Sequence, residues 1–98
     1  MRVVGVRTLK EFCARHADVR NQANAWRCEA EEANWQTSQD IKERYPPASF
    51  LSGNQVVFNL KGNDYRLLVK VDYRRQIVLI KGIWTHSEYD KWLKRRER

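Results

Sequence analysis

The sequence predicts an α+β fold: an opening strand, a helix hairpin, a three-stranded antiparallel meander and a C-terminal helix. Apolar residues recur at helical spacing between Leu9 and Ala33, then at every second position from Val56. The turn signals Gly62-Asn63 and Arg74-Arg75 cut the second half into three runs of strand length. Directly after the third run, Thr85 and Glu88 have the spacing that starts a helix.

Residues Arg2 to Val6 are mostly apolar and β-branched and read as the opening strand. Thr8-Leu9-Lys10-Glu11 has capping-box spacing, and Leu9, Phe12, Cys13 and Ala17 follow on one face of a first helix. Asp18 is placed to cap a second helix, whose inner stripe is Val19, Gln22 or Ala23, Trp26, Ala30 and Ala33. Its outer face carries Arg20, Arg27, Glu29 and Glu32, so both apolar stripes turn toward the sheet. Ser38 opens a short helical turn through Ile41, which Tyr45-Pro46-Pro47 stops because proline disfavours helix in the residue before it. Residues 46–53 read as a connecting loop.

In the meander, a two-residue Gly62-Asn63 turn pairs Asn59 with Arg66 and Lys61 with Asp64. A two-residue Arg74-Arg75 turn pairs Tyr73 with Gln76, hence Lys70 with Leu79 and Leu68 with Lys81; a four-residue turn keeps the same parity. Strand side chains alternate, so Asn59, Lys61, Arg66, Lys70 and Lys81 fall on one face. Val56, Phe58, Leu60, Tyr65, Leu67, Val69, Val71, Val78, Ile80 and Trp84 fall on the other, against the helix hairpin. In the last helix Tyr89, Trp92 and Leu93 point inward, and Lys94, Arg95, Arg96 and Arg98 form a basic end, favourable at a helix C-terminus.

Ninety-eight residues predict a single domain over 1–98, able to bury about two thirds of its unfolded surface. A 42% hydrophobic fraction with eleven aromatics and only six prolines plus glycines excludes a disordered chain. No apolar run nears the roughly 20 residues that span a bilayer, and the N-terminus has no secretion-signal pattern, so a cytoplasmic protein without membrane contact is expected. Two cysteines cannot make a disulfide framework. Cys13, His16 and Cys28 lack a fourth ligand in a recognisable pair, so the cysteines are expected as buried thiols, with no metal and no cofactor.

Charge is unevenly placed. Residues 1–49 hold eight basic and seven acidic side chains, whereas residues 50–98 hold eleven basic and five acidic, a net of +6. That bias calls for an anionic partner, nucleic acid first. Arg66 offers a planar fork for phosphate, and Lys61, Lys70 and Lys81 act as point charges. His86 and Tyr89 share a helix face and are chemically able to move protons, the phenol with its ionised form favoured among cations. The same residues also suit a solvated sheet face, a helix cap and a core tyrosine.

The run Val57-Phe58-Asn59-Leu60-Lys61-Gly62-Asn63-Asp64-Tyr65-Arg66-Leu67-Leu68, followed by Ile83-Trp84-Thr85-His86-Ser87-Glu88-Tyr89-Asp90, resembles the HigB toxins of bacterial type II toxin–antitoxin systems, in the RelE-like mRNA interferase superfamily. The shared elements are F-N-x-x-G-N-x-x-R on the first hairpin and T-H-x-E-Y-D at the last strand–helix junction; Asp40-Ile41-Lys42 and Tyr45-Pro46 are similar to the middle segment. The resemblance implies a RelE-like fold and a metal-free endoribonuclease that cleaves mRNA on the ribosome and is neutralised by a helix-turn-helix, HigA-like antitoxin. It implies catalytic roles for Arg66, His86, Tyr89 and Lys81, the last standing where relatives often carry arginine. With the basic face, it marks Asn59, Lys61, Asn63 and Lys70 as RNA contacts. Two other classes fit the residues: a non-catalytic RNA- or ribosome-binding module, and a structural protein docking an acidic partner. Ribosomal cleavage separates the first from the enzyme, and salt-dependent RNA affinity separates both from the second.

Overall fold

A computed structural model describes residues 1–96; Arg98 of the expected basic end lies outside them. Five strands form one sheet: β1 (Arg2–Val4), β2 (Ser49–Leu51), β3 (Gln55–Leu60), β4 (Tyr65–Asp72) and β5 (Ile77–Thr85), in the order β1-β5-β4-β3-β2. β1 runs parallel to β5 and every other neighbour is antiparallel. The helices are α1 (Val6–Arg15), α2 (Arg20–Glu32), α3 (Ser38–Arg44) and α4 (His86–Arg96). The fold is the expected α+β arrangement, with the β3–β4–β5 meander at its centre.

Alternation along the meander builds the main core. Val56, Phe58, Leu67, Val69 and Val78 meet Leu9, Phe12, Val19, Ala23, Trp26 and Ala30 from the helix hairpin. Phe58 is enclosed by the rings of Trp26, Trp35 and Tyr45. The opposite sheet face is not simply wet. Val57 and Leu68 are buried there under Tyr89 of α4, with Trp84, Trp92 and Leu93 packed alongside.

Several local expectations give way to stronger geometry. Gly5 has φ +92°, a left-handed conformation that turns the chain into helix at Val6, so Thr8 lies inside α1 and Glu11 pairs with Arg7 at 2.9 Å. α2 is entered through a 3₁₀ turn, Ala17–Val19, and Asp18 reaches across to the meander instead of capping it. α3 runs on to Arg44, held by a capping box between Thr37 and Asp40. Within the expected loop, β2 adds a three-residue edge strand through Ser49–Val57 and Leu51–Gln55 pairing. Cys13 is buried, its thiol pushed up by desolvation more than the Arg20 charge lowers it, but Cys28 is exposed on α2.

The consequential departure is a bulge. The first hairpin keeps the Asn59–Arg66 pair and the second keeps Lys70–Leu79 across a turn at Tyr73–Gln76. Leu68, however, pairs with Gly82 while Val69 pairs with Ile80, leaving Lys81 as the extra residue. Parity reverses beyond it. Ile83 enters the main core, and Trp84, expected there, stands on the other face opposite Arg66. Gly82 permits this, because a Cβ there would lie 2.6 Å from the Trp84 ring. Gly82→Ala is therefore expected to displace Trp84 and to lower stability by about 1–3 kcal/mol, read as a fall in the urea midpoint; an unchanged midpoint would show that the ring shifts without resistance.

Candidate functional site

The site grows from the turn between β3 and β4 and the start of α4. Arg66, half-buried on β4, donates from Nη1 to the carbonyl oxygens of Asn63 at 2.7 Å and Tyr65 at 3.3 Å. Asn59, its cross-strand partner, donates from Nδ2 to Asn63 Oδ1 at 3.4 Å. The turn is thus laced to the sheet residues beside it.

His86 is brought to the same place by the helix start. Thr85 N–H donates to Glu88 Oε1 at 3.0 Å and Glu88 N–H donates to Thr85 Oγ1 at 3.2 Å, the reciprocal box expected from the sequence. The Thr85 N–H bond holds the Glu88 carboxyl below its ordinary range. His86 N–H donates to the Asp64 carbonyl at 2.8 Å, tying α4 to the hairpin turn. Arg66 Nη2 lies 2.9 Å from His86 Nδ1. A guanidinium has only donors, so Nδ1 accepts and the ring proton sits on Nε2. Nε2 faces Asp90 Oδ2 at 3.3 Å, completing a line Arg66–His86–Asp90 whose last two side chains are about half exposed. Asp90, four residues from His86, was readable as a helical neighbour but escaped the sequence reading.

Tyr89 sits behind this line, 8% exposed, with ring centroids 6.0 Å from Trp84 and 5.6 Å from Trp92. Burial raises its pKa, and the charges of Arg66 and Arg96 offset that only in part. The phenol therefore stays protonated, contrary to the expectation that surrounding cations favour its ionised form.

The basic residues do not share one open face. Lys70 stands four residues along β4 from Arg66, about 13 Å away, with buried Leu68 between them. Lys81 is exposed at the bulge, unpaired and three residues along β5 from Trp84, the partner of Arg66. Lys61 leaves the face altogether. Its φ of +48° ends the strand alternation at Leu60, and its Nζ donates to Asp18 Oδ2 at 2.7 Å on the helix-hairpin side. Its N–H also donates to Gln22 Oε1. The residues brought together are Asn59, Asn63, Arg66 and His86, with Tyr89 behind.

Lys61 and Tyr65 donate to Asp18 and hold its carboxyl below the ordinary range, while the Tyr65 phenol is pushed up to about 12. A folded-state pKa below the unfolded one, near 4, gives a stabilisation complete above that pH and lost as pH falls through the folded value. Asp18→Asn should flatten the fall of the urea midpoint below about pH 4. An equally steep fall in the variant would show that this cluster does not pin the hairpin.

Among the described residues, no cluster of three His, Cys, Asp or Glu side chains is assembled for a metal. No described helix is long and apolar enough to cross a membrane. What the site offers is a fork-shaped cation, a histidine of fixed tautomer, an acidic partner for it and two amides, grouped on a solvent-facing edge. A family model, HigB_toxin, the RelE-like toxic component of a toxin–antitoxin system, matches residues 19–92, which include every member of this group. No curated protein matches the chain.

Proposed function

Because the chain belongs to the HigB family of RelE-like toxins, the toxic components of toxin–antitoxin systems, we propose that it is an endoribonuclease that cleaves mRNA on the ribosome in the cytoplasm. The observation that carries this reading is the Arg66–His86 contact at 2.9 Å. It couples a phosphate-binding fork to a proton acceptor.

In the proposed reaction the mRNA 2′-oxygen attacks the adjacent phosphorus and the 5′-oxygen leaves, giving a 2′,3′-cyclic phosphate and a 5′-hydroxyl. At rest, Arg66 occupies His86 Nδ1. A scissile phosphate draws the fork onto its non-bridging oxygens, where the charge of the transition state develops, and this frees Nδ1 to take the 2′-OH proton. The imidazolium then donates from Nε2 to Asp90, which offsets the unfavourable position of a cation at a helix N-terminus. Tyr89, kept protonated by burial, gives its proton to the leaving 5′-oxygen. Asn59 and Asn63 hold ribose or phosphate at the turn, and Lys70 and Lys81 attract the flanking strand as point charges, while Lys61 stays paired with Asp18 on the helix-hairpin side. A defined mRNA incubated with the protein should be cut where translating ribosomes cover it and left intact when naked. Equal cutting of both would remove the ribosome from this account.

The family implies an antitoxin partner. We propose a helix-turn-helix, HigA-like antitoxin that masks the basic second half. Its affinity should then fall with added salt, and the complex should lose RNA affinity. A salt-insensitive complex that still binds RNA would refute masking.

One observation favours binding without catalysis: both ring nitrogens of His86 are engaged in the free protein. In that reading the Arg66 group only holds RNA on the ribosome, and translating ribosomes stall with their mRNA uncut.

A further inference from the structure

Outside the Arg66 group, the outer side of α4 carries an arrangement that packing does not require. The rings of Trp84 and Trp92 are stacked, with centroids 5.1 Å apart and planes 25° from parallel. Beneath them, Trp84 lies over Gly82 so closely that no Cβ fits. Above them, the Arg96 guanidinium is centred 5.4 Å over the Trp92 ring. Trp84 and Trp92 are only partly buried, and with Glu88, Lys91 and Arg95 they line a shallow groove. The Glu88 carboxylate of this groove is engaged by the Thr85 backbone, Lys91 and Arg95 have no ion-pair partner among the described residues, and Lys94 and Arg96 extend the positive end of the helix.

We propose that the Trp84–Trp92–Arg96 column is a base-stacking platform for single-stranded RNA. A core needs apolar area but has no need of parallel rings that end under an exposed guanidinium. A nucleobase has a flat π-face that extends such a column, and its phosphates are complementary to the cations of the last two turns. An acidic protein segment would match the cations but not the stacked faces. The platform is also continuous with the Arg66 group, since Trp84 is the cross-strand partner of Arg66 and Tyr89 touches both tryptophans. The inference rests on the ribonuclease reading only for which RNA arrives: a strand whose scissile phosphate meets Arg66 would lay a flanking base against the Trp92–Arg96 end of the column.

The test uses an adenine hexanucleotide with a 2′-O-methyl group on every ribose, which the proposed reaction cannot cleave. Titration into the whole protein should quench tryptophan fluorescence. Trp92→Ala should weaken binding about tenfold, while Trp92→Phe, which keeps a ring, should stay within about threefold of wild type. A strand with the same phosphates but no bases should bind wild type and Trp92→Ala alike. If Trp92→Ala has a disturbed circular dichroism spectrum, Arg95→Ala and Arg96→Ala decide, because each should reduce the salt slope of hexanucleotide binding by about one.

Wild-type affinity in a folded Trp92→Ala, equal dependence on Trp92 with the base-free strand, or an unchanged salt slope in both arginine variants overturns the platform. Competition by hexaglutamate with the same dependence on Trp92 also overturns it, in favour of an acidic protein partner. A protein that binds the hexanucleotide through Trp92 but leaves ribosome-bound mRNA intact keeps the platform and refutes the ribonuclease. One that cleaves mRNA but binds the hexanucleotide independently of Trp92 does the reverse.

Discussion

Arg66→Ala is expected to slow single-turnover cleavage of ribosome-bound mRNA by at least about 10²–10³-fold, the usual effect of removing a donor aimed at developing charge. Growth inhibition should vanish with it. The fold should survive, because Arg66 is half-buried and its contacts within the turn are to backbone carbonyls that water can satisfy. Arg66→Lys should also lose most activity. An ammonium has no second planar donor set with which to grip phosphate and leave the His86 contact in one movement. Full toxicity in Arg66→Ala, measured as growth arrest on induction, would remove Arg66 from the reaction.

The second large effect is expected at His86. His86→Ala should reduce the cleavage rate by about 10²–10⁴-fold while ribosome binding changes little. The helix start is secured by Thr85 and Glu88, whose box does not use the imidazole, so stability should fall only slightly. Tyr89→Phe isolates the hydroxyl, because the ring contacts with Trp84 and Trp92 remain. It should cleave at least tenfold more slowly with an unchanged urea midpoint, whereas Tyr89→Ala should lose stability as well. Wild-type cleavage in Tyr89→Phe would reduce Tyr89 to packing, and a His86→Ala variant that loses only stability would leave His86 as a structural residue of the helix start.

The sequence exposed what depends on local chemistry. Thr85 and Glu88 announced the start of α4, and Gly62-Asn63 announced the turn that sets Asn59 opposite Arg66, so the centre of the site was legible from two short motifs. What escaped was decided by tertiary competition. Gly5 could end a strand or admit a helix, and only its φ of +92° against β5 shows which. Lys61 sits at the alternation of a sheet residue until a left-handed turn carries it to Asp18, which is distant in sequence and close in space. The bulge is the clearest case. One extra residue at Lys81 moves Trp84 across the sheet, where it packs with α4 over Val57 and Leu68 on the face expected to be wet. Gly82 was the available sign, since a glycine inside a strand often marks such a place.

This chain is expected to cut ribosome-bound mRNA through the 2′-oxygen next to the scissile phosphate. The most direct measurement is the chemistry of the new ends, read by mass spectrometry after the wild-type protein acts on translating ribosomes programmed with a defined mRNA. A 2′,3′-cyclic phosphate is expected on the upstream fragment and a 5′-hydroxyl on the downstream one, with cleavage abolished by a single 2′-O-methyl at the scissile nucleotide. A 3′-hydroxyl paired with a 5′-phosphate, or intact mRNA on ribosomes that hold the protein, would contradict this expectation.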